Sequence, residues 1–357
     1  MSTSASERDR TAVALLHFGE PETTDRETVV DYLARIFQAN ADLEDHASET
    51  AARERSRELA ERRAPRLIEE YEEIGGSPLH GQAMDRARAL EGTLEDRGYG
   101  ATTVAVGMQF TEPLIEEVAT SLAERDVERV VGLPMYPLCG PSTTVAALDD
   151  LEHSMAEIDG WDPELAAITG WHRHPAYTRT RVDAIQETAA GADVDLSDPE
   201  TTLLFSAHGT PVRYLEAGSR YVEYVEEYCE TVARILGVSG YDLGYQNHEN
   251  RDLDWTEPDV EDLIADLDAE RVVVDPTSFV HEQSETLAEL DHDLAQLAAE
   301  QGIDFHRVPV PHDDPRLLAL FVALLEPFLS GFDPGYHQLR QCECRPVEGT
   351  YCLNASR

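Results

Sequence analysis

The sequence predicts an α/β protein built from two similar parallel-sheet lobes. Three observations carry that expectation. Short β-prone runs alternate with longer amphipathic ones, most of the short runs are continuously apolar, and the order strand, helix, strand, conspicuous turn, helix occurs twice. Continuous apolar runs suit strands covered on both faces, whereas half-exposed strands alternate. A chain of 357 residues also exceeds the usual size of one core.

In order, strands are expected over 11–19, 101–108, 129–136, 164–171, 201–207, 241–246 and 271–279. Between them, runs such as "EPLIEEVATSLAER" and "DVEDLIADLDAE" place apolar residues at i, i+3 and i+4 and read as helices. That alternation predicts parallel pairing through right-handed crossovers. The stretch "DLEDHASETAARERSRELAERRAPRLIEEYEE" reads as a long charged helix covering one lobe. The expected divisions are an N-terminal lobe over 10–155, a C-terminal lobe over 156–312, a helix over 313–330 packing back on the N-terminal lobe, and a cysteine-containing tail over 331–357.

Charge narrows the partners. With 71 acidic and 28 basic residues the formal net charge is -43, and the basic residues are all arginine. Self-repulsion of that size is screened at molar salt, where the Debye length falls to about 3 Å. The composition therefore reads as salt adaptation in a halophile's cytoplasmic protein. It argues against nucleic acid or an anionic membrane as partner, since either calls for a basic patch. "MSTSASERDR" is polar and "TAVALLHF" too short for a signal peptide core or a membrane span. Five cysteines without a secretion signal do not read as a disulfide framework.

The stretch "LLFSAHGTP" ends a buried strand on His208 and then Gly209. Ligands of open α/β sheets sit outside the carboxyl ends of the strands, which is where this histidine falls. No GxGxxG follows the first strand and no Walker A sequence is present, so nucleotide binding has no motif behind it. After the strand at Arg271 comes "PTSFVHEQSETLAELDHD". A helix beginning near Glu282 sets Glu285, Glu289 and Asp293 at i, i+4 and i+8, one line of carboxylates on one face. Imidazole with carboxylates suits a borderline divalent metal such as Fe(II), and histidine also accepts protons near neutrality. Together they could pass a metal one way and protons the other.

Six stretches in order resemble the ferrochelatase family over nearly the whole length. They are "FGEPET", "YEEIGGSPL", "YPLCGPSTT", "LLFSAHGTP", "YQNHENRDLDWTEPDVEDL" and "SFVHEQSETLAELD". The resemblance implies a chelatase-like fold of two flavodoxin-like lobes, each with a parallel four-stranded sheet, holding a porphyrin between them. It implies Fe(II) as substrate, His208 as the metal- and proton-handling histidine, and Glu285 as its partner carboxylate across the macrocycle centre. Glu289 and Asp293 match the family's acidic line for metal or protons, Trp255 a wall of the pocket, and Ser142, Thr143 and Thr144 a loop near the macrocycle. Phe18 stands where some bacterial members have a metal-reaching tyrosine, so it implies a substrate wall without an axial ligand. Gln283 replaces a second histidine, with His281 two residues away as a substitute, and Gln109 replaces a common arginine.

The nine-residue step from Gln246 to Trp255 and the "WTEPDVEDL" around it resemble the coproporphyrin-using branch more than the protoporphyrin-using one. Four substrate carboxylates then call for arginines such as Arg213, Arg220 or Arg251. In the tail, Cys342, Cys344 and Cys352, with Cys139 from the internal loop, resemble the four-thiolate ligation of a [2Fe-2S] cluster. Zinc is the rival occupant. The C-x-C-x7-C spacing and the placing of Cys139, where the usual position is Pro141, depart from the family. Cys229 reads as core. Two other functions fit the same lobes: a cobalt or nickel chelatase for a reduced tetrapyrrole, and a non-catalytic porphyrin or haem carrier.

Overall fold

Seven apolar runs and one polar one become parallel strands: β1 (Thr11–His17), β2 (Thr103–Met108), β3 (Arg129–Pro134), β4 (Glu164–Thr169), β5 (Thr201–His208), β6 (Asp242–Gln246), β7 (Arg271–Pro276) and β8 (Asp304–Arg307). These and all further observations come from a computed structural model that describes residues 10–100, 102–248, 253–330 and 339–353. Arg251, one of the arginines expected near substrate carboxylates, lies outside the described residues. Every residue of β1 is buried, as a continuous apolar run requires. The short β8 reads "DFHR" and is partly exposed, so it lacks the apolar run that marks the others.

The chain forms two compact units, Met1–Gly19 with Gly81–Tyr177 and Asp313–Arg357, and Glu20–His80 with Thr178–His312. A division at 155/156 does not describe them. Residues 164–169 stay with the first unit because β4 pairs with β3 from Arg129↔Glu164 onwards. Residues 20–80 belong to the second unit, where Arg213 donates to the carbonyl of Leu43 at 2.7 Å and Tyr214 to Asn40 at 2.8 Å.

In the first unit the order is β2-β1-β3-β4, extended by tail strands β10 (Thr350–Cys352), parallel to β4, and β9 (Arg340–Gln341), antiparallel to β10. This sheet therefore has six strands among the described residues, not four, because the tail adds two. Buried Arg345 fastens the tail through Asp149 Oδ1 at 2.7 Å and through Glu152. The helix Pro315–Ser330 belongs to this unit, with Phe321 edge-on to Trp171 at 5.6 Å.

The second unit has the all-parallel order β6-β5-β7-β8. Val272, Val274, Leu204, Ile264, Leu290 and Leu294 make a buried core between sheet and helices. Buried Arg181 pairs with buried Asp275, which Tyr228 and Thr277 also hydrogen-bond. Cys229 is fully buried in the helix Tyr221–Leu236. The segment expected to turn helical near Glu282 forms a π-helix, Glu285–Leu294, continued by the α-helix Ala295–Glu300. Helices of this kind, with i→i+5 hydrogen bonds, recur at functional sites. No described helix is long and apolar enough to cross a membrane.

Candidate metal centre

Register places the first ligand. β5 pairs with β6 so that His208 stands opposite Gln246, both at carboxyl ends. The backbone N–H of His208 donates to Ser278 Oγ at 3.0 Å, and its carbonyl accepts from the Tyr221 hydroxyl at 2.9 Å. Nδ1 lies 2.6 Å from the carbonyl oxygen of Gly209. A carbonyl can only accept, so Nδ1 carries the hydrogen and Nε2 keeps its lone pair.

Two residues beyond β6 comes His248, which the sequence reading does not single out. Its Nε2 lies 3.1 Å from Nε2 of His208, and the ring is held edge-on to Trp255 at 5.9 Å and 87°. Glu285, at the start of the π-helix, completes a group in which one ligand atom from each residue lies within 4.8 Å of the others. A flat ring between two groups needs two van der Waals contacts of about 3.5–4.0 Å each. His208 and Glu285 are thus neighbours in one cluster, not opposite sides of a gap as wide as a tetrapyrrole. His281 is buried and is not one of the three.

Burial lowers the pKa of both imidazoles, the charge of His248 adding to the effect on His208, so both are neutral at neutral pH. Burial pushes the Glu285 carboxyl up, but the two histidines and the hydrogen bond from Gln283 at 2.7 Å outweigh it, and its pKa lies below the ordinary value. Gln283, standing where a second histidine was expected, thus orients the carboxylate. Glu289 accepts from Gln246 at 2.9 Å, and its pKa is pushed up to about 7 by burial and by Glu285. Asp293 sits 3.7 Å from Arg66. Along the π-helix, side-chain exposure rises from 21% at Glu289 to 47% at Asp293, so the line of carboxylates runs from the cluster to solvent.

Beside this line lies Glu20, only 4% exposed, in the loop after β1. The helix Glu49–Ile74 ends on Gly75 and Gly76 at φ of 78° and 95°, a turn that brings Ser77 to Glu20. Glu20 accepts from the hydroxyls of Ser77, Ser284 and Tyr71, the last at 3.2 Å, and from the Ser284 backbone N–H at 3.2 Å. Ser284 Oγ is also 3.1 Å from Glu285 Oε2. Burial, then the charge of Glu285, pushes the Glu20 carboxyl up to about 8.

The remaining expected substrate residues divide between the units. Phe18 follows β1 and packs edge-on to Phe110 at 4.6 Å. Ser142 and Thr143 lie in the π-helix Pro141–Val145 of the same unit, where the Ser142 carbonyl and the Tyr136 hydroxyl meet Gln109 at 3.5 and 2.9 Å. Trp255 is in the second unit, bridged through its backbone to Pro211. Arg220 pairs with Glu223 and lies 5.5 Å from the ring centre of Tyr224.

In the first unit the sulfurs of Cys139, Cys342 and Cys344 lie within 4.8 Å of one another. Cys352 hydrogen-bonds Cys342, as does the Thr169 hydroxyl at 3.4 Å. None of the five cysteines forms a disulfide. Hydrogen bonds from Cys139, Cys344 and Cys352 hold the Cys342 thiol far below its ordinary pKa, while its neighbours and burial push Cys139 up. Three converging sulfurs, with Cys352 hydrogen-bonded to one of them, make a group that could hold a metal ion.

Two imidazoles and a carboxylate beyond the carboxyl ends of a parallel sheet make a group that could hold a divalent transition metal. A family model described as Ferrochelatase matches residues 10–327. The ferrochelatase of Synechococcus sp. (strain JA-3-3Ab) is 34% identical over 340 residues, 92% of this chain and 96% of that protein. That of Synechococcus sp. (strain JA-2-3B'a(2-13)) is 34% identical over 333 residues, 90% and 93%. SirB from Bacillus subtilis, solved with Fe3+, superposes with a TM-score of 0.50 at 8% identity over 92% of this chain and 98% of that one, a likeness of fold. The chain belongs to the ferrochelatase family of enzymes, which insert iron into a porphyrin.

Proposed function

We propose that this chain inserts Fe(II) into a free-base porphyrin with release of two protons, using His208 and Glu285 at the reacting centre. The observation that carries the reading is the neutral imidazole of His208, its Nδ1–H tied to Gly209 and its Nε2 lone pair turned into a cluster with Glu285. A planar free-base porphyrin hides two N–H protons, so insertion requires bending the ring, which binding energy from its carboxylates and apolar faces can offset. As each pyrrole nitrogen exchanges its proton for the metal, Nε2 of His208 takes the proton. Glu289 and Asp293, progressively more exposed, pass protons out to solvent and metal in.

Phe18, Ser142, Thr143 and Trp255 are assigned to porphyrin contact. Coproporphyrin III is the favoured substrate, on the resemblance of "WTEPDVEDL" to that branch. Cys139, Cys342, Cys344 and Cys352 are assigned to a [2Fe-2S] cluster, which supplies electron-transfer capacity when bound. Inorganic sulfide and iron in the purified protein support that assignment, and zinc without sulfide rejects it. The acidic composition supports work in a salt-rich cytoplasm.

The deciding experiment is an anaerobic assay in molar KCl offering Fe(II) with coproporphyrin III and protoporphyrin IX in parallel. Wild type inserts iron, faster into coproporphyrin. His208→Ala binds porphyrin but inserts none, and unchanged insertion kinetics in that variant reject the assignment.

A further inference from the structure

We propose that His248 is a third metal ligand, so that this chain takes up ferrous iron in a two-histidine, one-carboxylate site before the metal reaches the porphyrin. The inference deepens the proposed iron insertion and rests on that reading for the identity of the metal.

The argument begins with a distance. Two nitrogens each about 2.1 Å from one ion and cis to each other stand about 3.0 Å apart. The Nε2 atoms of His208 and His248 are 3.1 Å apart. They already have the spacing of adjacent ligands, and the Glu285 carboxylate lies within 4.8 Å of both. With 22% of its side chain exposed, His248 is reachable from solvent.

The other ring nitrogens complete the case. Without metal, the hydrogen between the two Nε2 atoms belongs to His248, because His208 already carries its own on Nδ1. When an ion takes both Nε2 lone pairs, that hydrogen moves to Nδ1 of His248 and the ring's charge is unchanged. Nδ1 of His248 faces Oε1 of Glu289 at 3.9 Å. His208 thus has a hydrogen-bonded carbonyl behind it, the usual support of a histidine ligand, and the Glu289 carboxylate has to close in from 3.9 Å to give His248 the same. As the ion leaves for the porphyrin, the freed Nε2 of His208 is available for a pyrrole proton.

Anaerobic titration of the full-length, porphyrin-free protein with Co(II) in molar KCl tests the proposal. Ligand-field absorption follows the nitrogen and oxygen site, and thiolate charge-transfer bands report cobalt on the tail cysteines separately. We expect one equivalent outside the thiolate bands in wild type. Affinity should fall at least tenfold in His248→Gln and about tenfold in Glu289→Gln, with circular dichroism confirming the fold. The steady-state KM for iron should rise with the Co(II) dissociation constant in His248→Gln while the KM for porphyrin changes less than threefold. Superimposable Co(II) curves for wild type and both variants, or cobalt bound by wild type through thiolates alone, overturn the proposal. Failure of the wider reading looks different: wild type then inserts iron into neither porphyrin, whatever its cobalt affinity.

Discussion

Replacing Gly209 by alanine places a Cβ 1.9 Å from Asn247 Oδ1 and 2.8 Å from the backbone oxygen of Gln246. Reaching an ordinary contact of 3.4 Å moves the Asn247 side chain by 1.5 Å and the Gln246 carbonyl by 0.6 Å. Asn247 donates to the Thr256 carbonyl at 2.9 Å and to Asp259 at 3.1 Å, bonds of about 1 kcal/mol each that such a move breaks. Adding about 1 kcal/mol or more for over-packing gives a stability loss of about 3 kcal/mol. The displaced residues directly precede His248, and the altered one directly follows His208, so both imidazoles shift. Misplacement of about 1 Å costs roughly 10²-fold in rate. The measurements are urea midpoints and kcat/KM for iron at saturating porphyrin, with Gly92→Ala as control. Gly92 is exposed in the helix Leu79–Asp96, nothing lies within 4 Å of an added Cβ, and that variant should gain about 0.5–1 kcal/mol. Wild-type kinetics in a destabilised Gly209→Ala would refute the link between strand-end spacing and the metal centre.

Three further outcomes are expected. Glu20, raised from 4.5 to about 8, contributes stability that is fully present below pH 4.5 and lost as pH rises through about 8. Glu20→Gln should flatten that decline, by roughly 5 kcal/mol at most, and parallel urea-midpoint profiles of variant and wild type would contradict the shift. Because burial depresses the pKa of His208 and His248 below 6.5, the imidazole contribution to kcat/KM for iron should be lost only as pH drops beneath that value, after Glu289 has taken its proton near 7. His248→Gln, which removes a charge that lowers the His208 pKa, should move the remaining acid limb upward, and an unmoved limb counts against their contact. Arg181→Met strands the Asp275 carboxylate in a site where the pair is 1% and 0% exposed, and should cost about 3–5 kcal/mol. Arg181→Met with Asp275→Leu should recover most of it, and an unchanged urea midpoint in the single variant would show that the pair holds nothing together.

Strand ends were readable because apolar runs stop where burial stops: "LLFSAH" becomes β5 with its histidine at the last position. Glu285, Glu289 and Asp293 were found as a series because helical spacing is local. His248 escaped for the opposite reason. It lies in the polar stretch "YQNHENRDLDW", and only the register of β5 against β6 brings it to a residue 40 positions earlier. The one available signal was a second strand ending two residues before a histidine. Glu20 was hidden by composition: among 71 acidic residues nothing local distinguishes a buried carboxyl from a solvated one. The tail strands, two and three residues long, have no apolar run, and their partner β4 is far away in sequence.

The net charge of -43 suggests that iron is drawn in by the field of the whole molecule. At molar salt that field dies within about 3 Å, little more than a metal–ligand bond. Capture must then rest on donors that touch the ion. Phenylalanine at 18 offers an ion no donor, and Gln283 serves to orient Glu285. A second imidazole at 248, already at ligand spacing from the first and with Glu289 3.9 Å from its other nitrogen, supplies a further donor beside the same sheet. On the proposed reading the acidic surface serves solubility, and His208, His248 and Glu285 hold the metal.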